Sequence, residues 1–198
     1  MGRIRLDDIR RRELVDAAIR AVAGNGLEKA TVSVIAREAE TSPGIVHHYF
    51  RDKTALLDAA MRALRAPLPG LFAANLRNQG GAAPDRLQAL IDACFDESVF
   101  SPVTVSAWTA FASAAPHVRA FGRVRAAQRR RLVSTVAHAL AGRVDDTYRA
   151  WYADVVAAAI DGVWFNAATV EGAANGRRAA AVVQTMLAGM AVAANENG

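Results

Sequence analysis

Apolar residues recur at helical spacing along most of the chain, and short breaks rich in Gly, Pro or polar residues separate the periodic segments. The clearest segment lies near the N-terminus. From Val32 to Ala39, apolar residues fall at i, i+3, i+4 and i+7, which is one face of a helix. Thr31 precedes this segment and can cap its first turn. The pattern predicts a short amphipathic helix.

A second short helix is predicted to open at Ser42. A serine hydroxyl at the N-cap can accept a first-turn N–H that has no other partner. Pro43 suits the first helical position because it has no N–H to leave unpaired. The apolar residues expected to pack back on the first helix are Ile45, Val46 and Tyr49 or Phe50. Two short helices joined by a tight turn predict a helix-turn-helix.

The start of the second helix suits an approach to DNA. Pro43 and Gly44 keep it thin, so that its backbone can come close to a groove wall. The short polar side chains around it are those of Thr41, Ser42, His47 and His48. In helix-turn-helix proteins the second helix lies in the major groove and reads base edges with its N-terminal residues. The alternative is an ordinary helical hairpin within a bundle.

Helices are also predicted on both sides of this motif. The first helix ends at the Gly-Asn-Gly sequence of residues 24–26, and residues 1–6 are expected to form a flexible arm. The fourth helix covers Lys53 to Leu64, and Asp52 or Thr54 can cap it.

A break after the fourth helix divides the chain. Two prolines and a glycine within residues 67–70 interrupt the helical pattern, and residues 79–83 are predicted to form a loop. We therefore predict a DNA-binding domain over residues 1–65 and an effector-binding and dimerisation domain over residues 66–198.

The second domain is predicted to be helical throughout. An apolar stripe at core spacing follows Pro84, with Leu87, Leu90, Ile91, Cys94 and Phe95. One helix is predicted to begin at Ser101-Pro102, and a long arginine-rich helix to begin at Pro116. We interpret the arginines as a solvated helix face, with a second nucleic-acid surface as the alternative.

Two helices end the chain. Asp145 or Asp146 can cap the first, which runs to about Val170. Its apolar residues occupy two faces, one with Trp151, Val155, Ala158, Ala159 and Gly162 and the other with Tyr152, Val156, Ile160, Val163 and Trp164. The last helix has core spacing at Val182, Val183, Met186, Leu187 and Met190. Apolar surface this wide needs cover on two sides, which predicts a four-helix homodimer interface.

Composition narrows the class of protein. The chain is 53% hydrophobic and has a formal net charge of +5, which suits a polyanionic partner. Cys94 is the single cysteine and is expected to be a buried free thiol in a reducing cytosol. The charged N-terminus has no apolar run behind it, so we predict a cytoplasmic protein without a membrane span. The histidines do not combine with Cys or carboxylates at ligand spacing. We predict neither an enzyme nor a metal or other cofactor.

Residues 10–64 resemble the N-terminal DNA-binding domain of TetR-family bacterial repressors. The matching residues are Ala17-Ala18, Gly26, Ala30-Thr31-Val32, Ile35-Ala36, Ala39, Ser42, Gly44, Tyr49-Phe50, Lys53 and Leu56-Leu57. There are two departures. Glu40-Thr41 stands where the family usually has Gly-Val, and His47 stands where many members carry Tyr.

The motif and this resemblance together predict a set of DNA contacts. It comprises Thr31, Ser33, Thr41, Ser42, Pro43, Gly44, Ile45, His47, His48, Tyr49 and Lys53. Lys53 can reach a phosphate that also faces a helix N-terminus. At least one of Arg10, Arg11 and Arg12 is expected to contact a phosphate, because the family's first helix borders the DNA backbone.

Residues 47–62 look especially like the BetI-type, choline-responsive branch of the family, and the second domain also resembles this branch, less specifically, at three short sequences. These are Phe95-Asp96-Glu97, Ala107-Trp108 with Phe111, and Ile160-Asp161-Gly162-Val163-Trp164. An aromatic face attracts a quaternary ammonium, and a carboxylate adds to that attraction. The candidate effector residues are Phe95, Trp108, Phe111, Tyr152, Asp161 and Trp164. The alternative is that these residues form only a core.

The resemblance implies a homodimeric repressor that binds a palindromic operator and is released by a small molecule, such as choline or another organic cation. A regulator of an efflux or catabolic operon with an apolar ligand is the alternative within the family. A helical enzyme and a helical protein-binding scaffold are the rivals outside it. The first would need a catalytic set that the sequence does not offer, and the second would not bind an operator.

Overall fold

The computed structural model describes residues 2–79, 85–170 and 174–196, with side chains described between residues 6 and 189 of these ranges. All regular elements in this part of the chain are α-helices, which confirms the predicted all-α fold class. The helices are α1 (Gly2–Lys29), α2 (Val32–Glu38), α3 (Pro43–Tyr49), α4 (Lys53–Ala63), α5 (Leu68–Asn78), α6 (Arg86–Cys94), α7 (Pro102–Ala114), α8 (Arg119–Ala139), α9 (Asp146–Thr169) and α10 (Gly176–Glu196). Within the described ranges no helix is long and apolar enough to cross a membrane.

The chain forms two compact units. The first contains the residues up to Ala66 together with Val103–Ala126, and the second contains Pro67–Pro102 together with the residues from Ala127 onward. The first unit therefore includes nearly all of α7 and the start of α8. The functional boundary between residues 65 and 66 stays a prediction.

The head, which comprises α1 to α4, has the predicted helix order. α1 packs on α2 and α4, and α2 packs on α3. Its core consists of fully or nearly buried apolar residues, namely Leu14, Ala17, Ala18, Val22, Ile35, Ala36, Val46, Phe50, Leu56, Leu57 and Met61. The predicted caps form at two helices. The Thr31 hydroxyl accepts the Val34 N–H at 3.3 Å, and the Asp52 carboxylate accepts the Ala55 N–H at 2.8 Å.

Two predictions for α1 need correction or refinement. The helix begins at Gly2, so the prediction of a flexible arm over residues 1–6 is wrong for the described part of that segment. The expected break does occur at Gly26, whose φ of 76° lies in the left-handed region, but the chain then remains helical to Lys29. A glycine suits this kink because it has no Cβ to clash at positive φ.

The second unit begins with a helix that the sequence prediction missed. Residues 67–70 open α5 rather than interrupt the helical pattern, with Pro67 at the N-cap and a proline in the first turn. Proline is tolerated there because first-turn N–H groups have no partner within the helix. Of the predicted loop, only Gln79 is described, as the residue that follows α5. Residues 80–84 lie outside the described part of the chain.

In the second unit, α6 packs on α5 and on α10, and α10 packs on α9. The predicted stripe on α6 is confirmed, since Leu87, Leu90, Ile91, Cys94 and Phe95 are all buried. α7 begins at Pro102 as predicted, whereas α8 begins at Arg119, three residues after Pro116. Asp145 caps α9 and Val170 ends it, as predicted.

The two predicted faces of α9 differ in burial. Val156, Ile160 and Trp164 are each at most 1% exposed. On the opposite face Trp151 is 60% exposed. On α10, Val183 is buried and Val182 is 53% exposed, and the side chain of Met190 lies outside the described residues.

Candidate DNA-binding surface and effector residues

The turn between α2 and α3 has a defined hydrogen-bond pattern. After α2 ends, Glu40 takes a φ of 50°, in the left-handed region. The Glu40 N–H donates to the Arg37 carbonyl at 3.1 Å, and the Thr41 N–H donates to the Ala36 carbonyl at 2.9 Å. These two bonds form a Schellman motif, whose left-handed residue is usually glycine. Glu40 is the position at which the sequence departs from the glycine that is usual in the family.

Two buried side chains anchor α3. Val46 is 1% exposed and Phe50, directly after the helix, is 3% exposed. The prediction that Ile45 also packs inward is wrong, since it is 39% exposed. α3 has only two turns, and Val46 is the residue within it whose side chain is buried against the core of the head. Ile45 therefore lies on the outer side with the polar residues.

The N-terminal end of α3 is open to solvent. Ser42, Pro43 and Gly44 are all exposed. A Cβ added at Gly44 would meet only the Ser42 hydroxyl oxygen, at 3.8 Å. Ser42 is the N-cap residue, but its side chain makes no capping hydrogen bond, contrary to prediction. The Ser42 hydroxyl therefore has no role in capping α3.

The other predicted contact residues vary in exposure. Thr31, Ser33, His47 and His48 are exposed, whereas Thr41, Tyr49 and Lys53 are half-buried. The His48 ring meets the Tyr49 ring edge-on, with the centroids 5.0 Å apart. The set lies on α3 and on the first turns of α2 and α4, with Thr41 in the turn between α2 and α3.

The first helix fixes the C-terminal end of α3. The Tyr49 hydroxyl donates to the Asp7 carboxylate at 3.1 Å, and the Arg11 guanidinium donates to the Tyr49 carbonyl at 2.9 Å. The same guanidinium lies 4.2 Å from the Phe50 ring centroid, a cation–π contact. Partial burial raises the pKa of Tyr49, and the hydrogen bond to Asp7 and its negative charge add to this, while Arg10 opposes it. Sequence reasoning missed Asp7, although the Asp7–Arg11 spacing of i, i+4 placed both on one helix face.

Lys53 has protein partners of its own. Its ammonium donates to the Leu27 carbonyl at 2.9 Å and to the Glu28 carbonyl at 3.3 Å. Both carbonyls lie in the last turn of α1, where backbone oxygens lack partners within the helix. An ammonium has three N–H donors, so these bonds leave one for a further acceptor.

The six candidate effector residues divide between the two units. Trp108 and Phe111 belong to the first unit, and the remaining four belong to the second. In the first unit, the guanidinium carbons of Arg65 and Arg125 lie 5.0 and 5.3 Å from the Trp108 ring centroid. The ring of Phe111 meets Phe121 edge-on at 5.2 Å. Arginine cations thus already contact the π-system of Trp108.

In the second unit, Trp164 lies at one end of an aromatic row, with Phe100 at its centre. The Trp164 ring centroid is 5.4 Å from that of Phe100, which is 5.1 Å from that of Phe95. The Trp164 indole N–H donates to the Cys94 carbonyl at 3.2 Å. Phe100 was missed in the sequence, although its position after the α6 stripe and just before a proline helix start could have suggested a core role.

The candidate carboxylate of the second unit has an arginine partner. Asp161 forms an ion pair with Arg129 at 3.3 Å, and Arg129 also reaches Asp154 at 3.1 Å. The Asp161 side chain is 12% exposed and the Arg129 side chain 31%. Tyr152 is half-buried and contacts the Trp151 ring edge-on at 4.9 Å. In the described part of the chain no three His, Cys or carboxylate side chains are grouped as metal ligands.

Comparison with protein families identifies both parts of the chain. Residues 14–60 match the model of the bacterial regulatory proteins of the tetR family, and residues 83–192 match the C-terminal model of the BetI-type transcriptional repressors. The HTH-type transcriptional regulator BetI of Escherichia coli O17:K52:H18 is 37% identical over 171 residues, which cover 85% of this chain and 87% of the relative.

Solved structures show the same fold. A transcriptional regulator from Pseudomonas aeruginosa PAO1 is similar with a TM-score of 0.79 and 24% identity, covering 96% of this chain and 94% of that one. A regulator from Saccharomonospora viridis, solved in complex with choline, is similar with a TM-score of 0.68 and 18% identity, covering 89% of this chain and 94% of that one. At these identities the likeness concerns the fold alone.

Proposed function

The chain belongs to the TetR family of bacterial regulators and to its BetI-type branch, and we propose that it is a dimeric repressor released from its operator by a small molecule. The observation that carries the proposal is the start of α3. It is exposed and thin, and Val46 and Phe50 hold it from inside. A helix presented in this way can enter a major groove without rearrangement.

The open space at Gly44 permits a direct test. Gly44→Leu places a bulky side chain where the groove wall would lie, while the fold has room for it. Operator affinity is expected to fall toward the non-specific level, roughly 10³- to 10⁷-fold weaker. Gly24→Leu is the matched control, because Gly24 is also in a helix of the head with nothing near its Cβ position. Gel shift measures both variants against the DNA upstream of the protein's own gene. Retained affinity of a folded Gly44→Leu protein would contradict the proposal.

Lys53 is proposed to contact a phosphate with its remaining N–H. Lys53→Met should weaken binding to all DNA and reduce the dependence of affinity on salt by about one unit of slope. Because Lys53 also holds the end of α1, unfolding of the variant is measured alongside. An unchanged salt slope would count against a phosphate contact.

Dimerisation is proposed to use the exposed face of α9 together with α10. Apolar or small residues recur on this face at alternating spacings of three and four, at Trp151, Val155, Ala158, Gly162 and Phe165. Trp151 and Phe165 are 60% and 53% exposed, and the small residues between them allow a second helix to come close. Exposed apolar stripes of this kind mark interaction sites. The dimer axis then sets the half-sites ~34–36 Å apart or at a multiple of this spacing.

The dimer can be tested separately from DNA. Ala158→Glu puts a charge at the centre of the stripe and is expected to yield monomers in sedimentation velocity. Ala127→Glu, at an exposed position of α8, is the matched control. A dimeric Ala158→Glu protein would place the interface elsewhere.

The effector is proposed to be a small organic cation. The BetI-type match of residues 83–192 and the choline complex of the Saccharomonospora viridis regulator support this choice. Aromatic rings and the Asp161 carboxylate supply the necessary chemistry. Bound ligand would favour a conformation in which the two heads no longer match the operator, with α4 as the lever, and it can do so only through its differential affinity for the two states.

An uncharged apolar ligand is the second candidate. It is favoured by the arginines that already contact Trp108 and pair with Asp161, since a cation would have to compete with them. Calorimetry and operator release with choline, with betaine aldehyde and with the uncharged tert-butyl analogue of choline separate the two. Release by choline alone supports the cation, and release by the neutral analogue alone supports the apolar ligand.

A further inference from the structure

The Tyr49 hydroxyl has one proton, and the structure commits it to Asp7. The donor–acceptor distance is 3.1 Å. An ionised carboxylate can only accept, so Tyr49 is the donor in this pair. A DNA phosphate also only accepts. One hydroxyl proton cannot serve both anions at once.

Asp7 is held in this position by a second contact of the same helix face. Arg11, four residues further along α1, donates to the Tyr49 carbonyl at 2.9 Å and stacks on Phe50. This contact fixes α1 against the end of α3 independently of the hydroxyl. Val46 and Phe50 fix α3 from inside. The orientation of α3 therefore does not depend on Asp7, so that Asp7 is expected to act on DNA binding through its charge and its hydrogen bond alone.

We propose that Asp7 competes with a DNA phosphate for the Tyr49 hydroxyl and thereby lowers the affinity of the protein for DNA. This inference rests on the proposed function, because it requires Tyr49 to face the DNA backbone. To bind a phosphate, the hydroxyl must turn away from Asp7, and the phosphate must approach a carboxylate of like charge.

A moderate affinity serves a repressor that must be released. Effector coupling typically changes affinity by roughly 5- to 150-fold. If the protein bound DNA much more tightly than this range allows, its effector could not clear the operator. A built-in competitor at the DNA-facing hydroxyl is one way to keep the affinity within the range that a ligand can reverse.

The test is a double-mutant cycle. Dissociation constants for the operator duplex are measured for the wild type, Asp7→Ala, Tyr49→Phe and the double variant. Asp7→Ala is expected to tighten binding roughly five- to tenfold. In the Tyr49→Phe background the gain should shrink to roughly twofold, the screened effect of removing one surface charge. Asp8→Ala is the matched control, since Asp8 is the neighbouring exposed acid on α1.

A second readout needs no DNA. Ultraviolet difference titration, with Tyr49→Phe as the reference, follows the phenol of Tyr49 in the free protein. Asp7→Ala should lower the pKa of Tyr49 toward its ordinary value, because a hydrogen bond and a negative charge that raise it are removed. Asp8→Ala should leave it in place.

The outcomes separate the two proposals. If Asp7→Ala tightens binding no more than Asp8→Ala, or if its gain persists in the Tyr49→Phe background, the competition is overturned while repression stands. Titration curves that Asp7→Ala leaves unchanged would overturn it in the same way. If the wild type binds no duplex at low salt, the proposed function fails and this inference fails with it.

Discussion

In the head, the candidate contact residues lie on the outside and their apolar neighbours lie inside, whereas in the second unit the candidate effector residues themselves are largely inside. Gly44 and His47 are exposed, and Val46 between them is 1% exposed. Trp164 is 1% exposed and Asp161 is paired with Arg129. A surface site can be recognised from polarity, because polar residues there interrupt an apolar stripe. An interior site cannot, since Trp and Phe in a core and in a pocket look alike in sequence.

The largest expected effect tests whether Trp164 belongs to a core. Trp164→Ala should reduce the free energy of unfolding by about 3–5 kcal/mol, because the ring packs on Phe100 and its indole N–H bonds the Cys94 carbonyl. Urea unfolding measures the change. A loss below about 1 kcal/mol would mean that the ring borders an existing cavity, and the contrast between the two regions would disappear.

The next effect concerns the start of α10. A Cβ added at Gly176 would lie 2.1 Å from the Phe95 carbonyl oxygen, which is backbone and cannot turn aside. Gly176→Ala is expected to cost about 2–3 kcal/mol through overpacking. Gly70→Ala in α5 meets nothing within 4 Å and should instead stabilise by about 0.5–1 kcal/mol. Equal effects in thermal unfolding would show that α10 can shift away from Phe95. Phe95, a candidate effector residue, would then lie in less rigid surroundings than the close approach of Gly176 indicates.

A smaller effect should be seen at Asp85, which caps α6 much as Asp52 caps α4 in the head. Burial tends to raise the pKa of Asp85, but the Gln88 N–H and Arg143 outweigh it and hold the pKa below its usual value. A lowered folded-state pKa stabilises above the unfolded pKa of about 3.9, and this stabilisation is lost as the pH falls through the folded-state value.

Asp85→Ala should therefore cost about 1 kcal/mol at neutral pH, mostly from the lost cap, since the Arg143 pair is half exposed. The two proteins should converge in stability in acid. A difference that stays constant below the folded pKa would mean that the carboxylate charge is not involved.

The smallest expected effect lies in the turn of the head. Glu40→Gly should stabilise the fold by about 0.5–1 kcal/mol, because glycine takes the φ of 50° without the Cβ clash that other residues suffer. Glu40→Ala, which keeps the Cβ, is the control and should give no such gain. Chemical unfolding of both variants measures it. A destabilised Glu40→Gly protein would show that the glutamate side chain makes a contribution that outweighs the strain.

The helix boundaries of the head could be predicted from residues that typically cap or begin helices. Thr31, Pro43 and Asp52 each mark the start of a helix, and α2, α3 and α4 begin within one residue of them. The same kind of signal gave a wrong prediction at residues 67–70, where the prolines predict a break in the helical pattern but in fact open α5. The outward position of Ile45 could not be predicted, because the apolar strip of a two-turn helix is too short to fix which of its residues face the core.

The long-range partners lay beyond the reach of sequence reasoning. The Asp7–Tyr49 hydrogen bond spans 42 residues and the Trp164–Cys94 bond spans 70. Helical periodicity reports which face of a helix is apolar, but it carries no information about which distant side chain meets that face. The surface set of candidate DNA contacts could therefore be proposed residue by residue, whereas the interior set could be proposed only by residue type.

The two hydrogen bonds from Lys53 to the carbonyls of Leu27 and Glu28 join the start of α4 to the end of α1. A displacement of α4 is therefore expected to move α1 as well. α3 is expected to follow, because the Arg11 guanidinium donates a hydrogen bond to the carbonyl of Tyr49, the last residue of α3. α1, α3 and α4 would then move together, and the orientation of α3 within the head would be kept. If the protein is the proposed repressor, release would change the direction in which the head faces and leave the fold of the head intact, so that the released form is expected to bind duplex DNA weakly and without sequence preference.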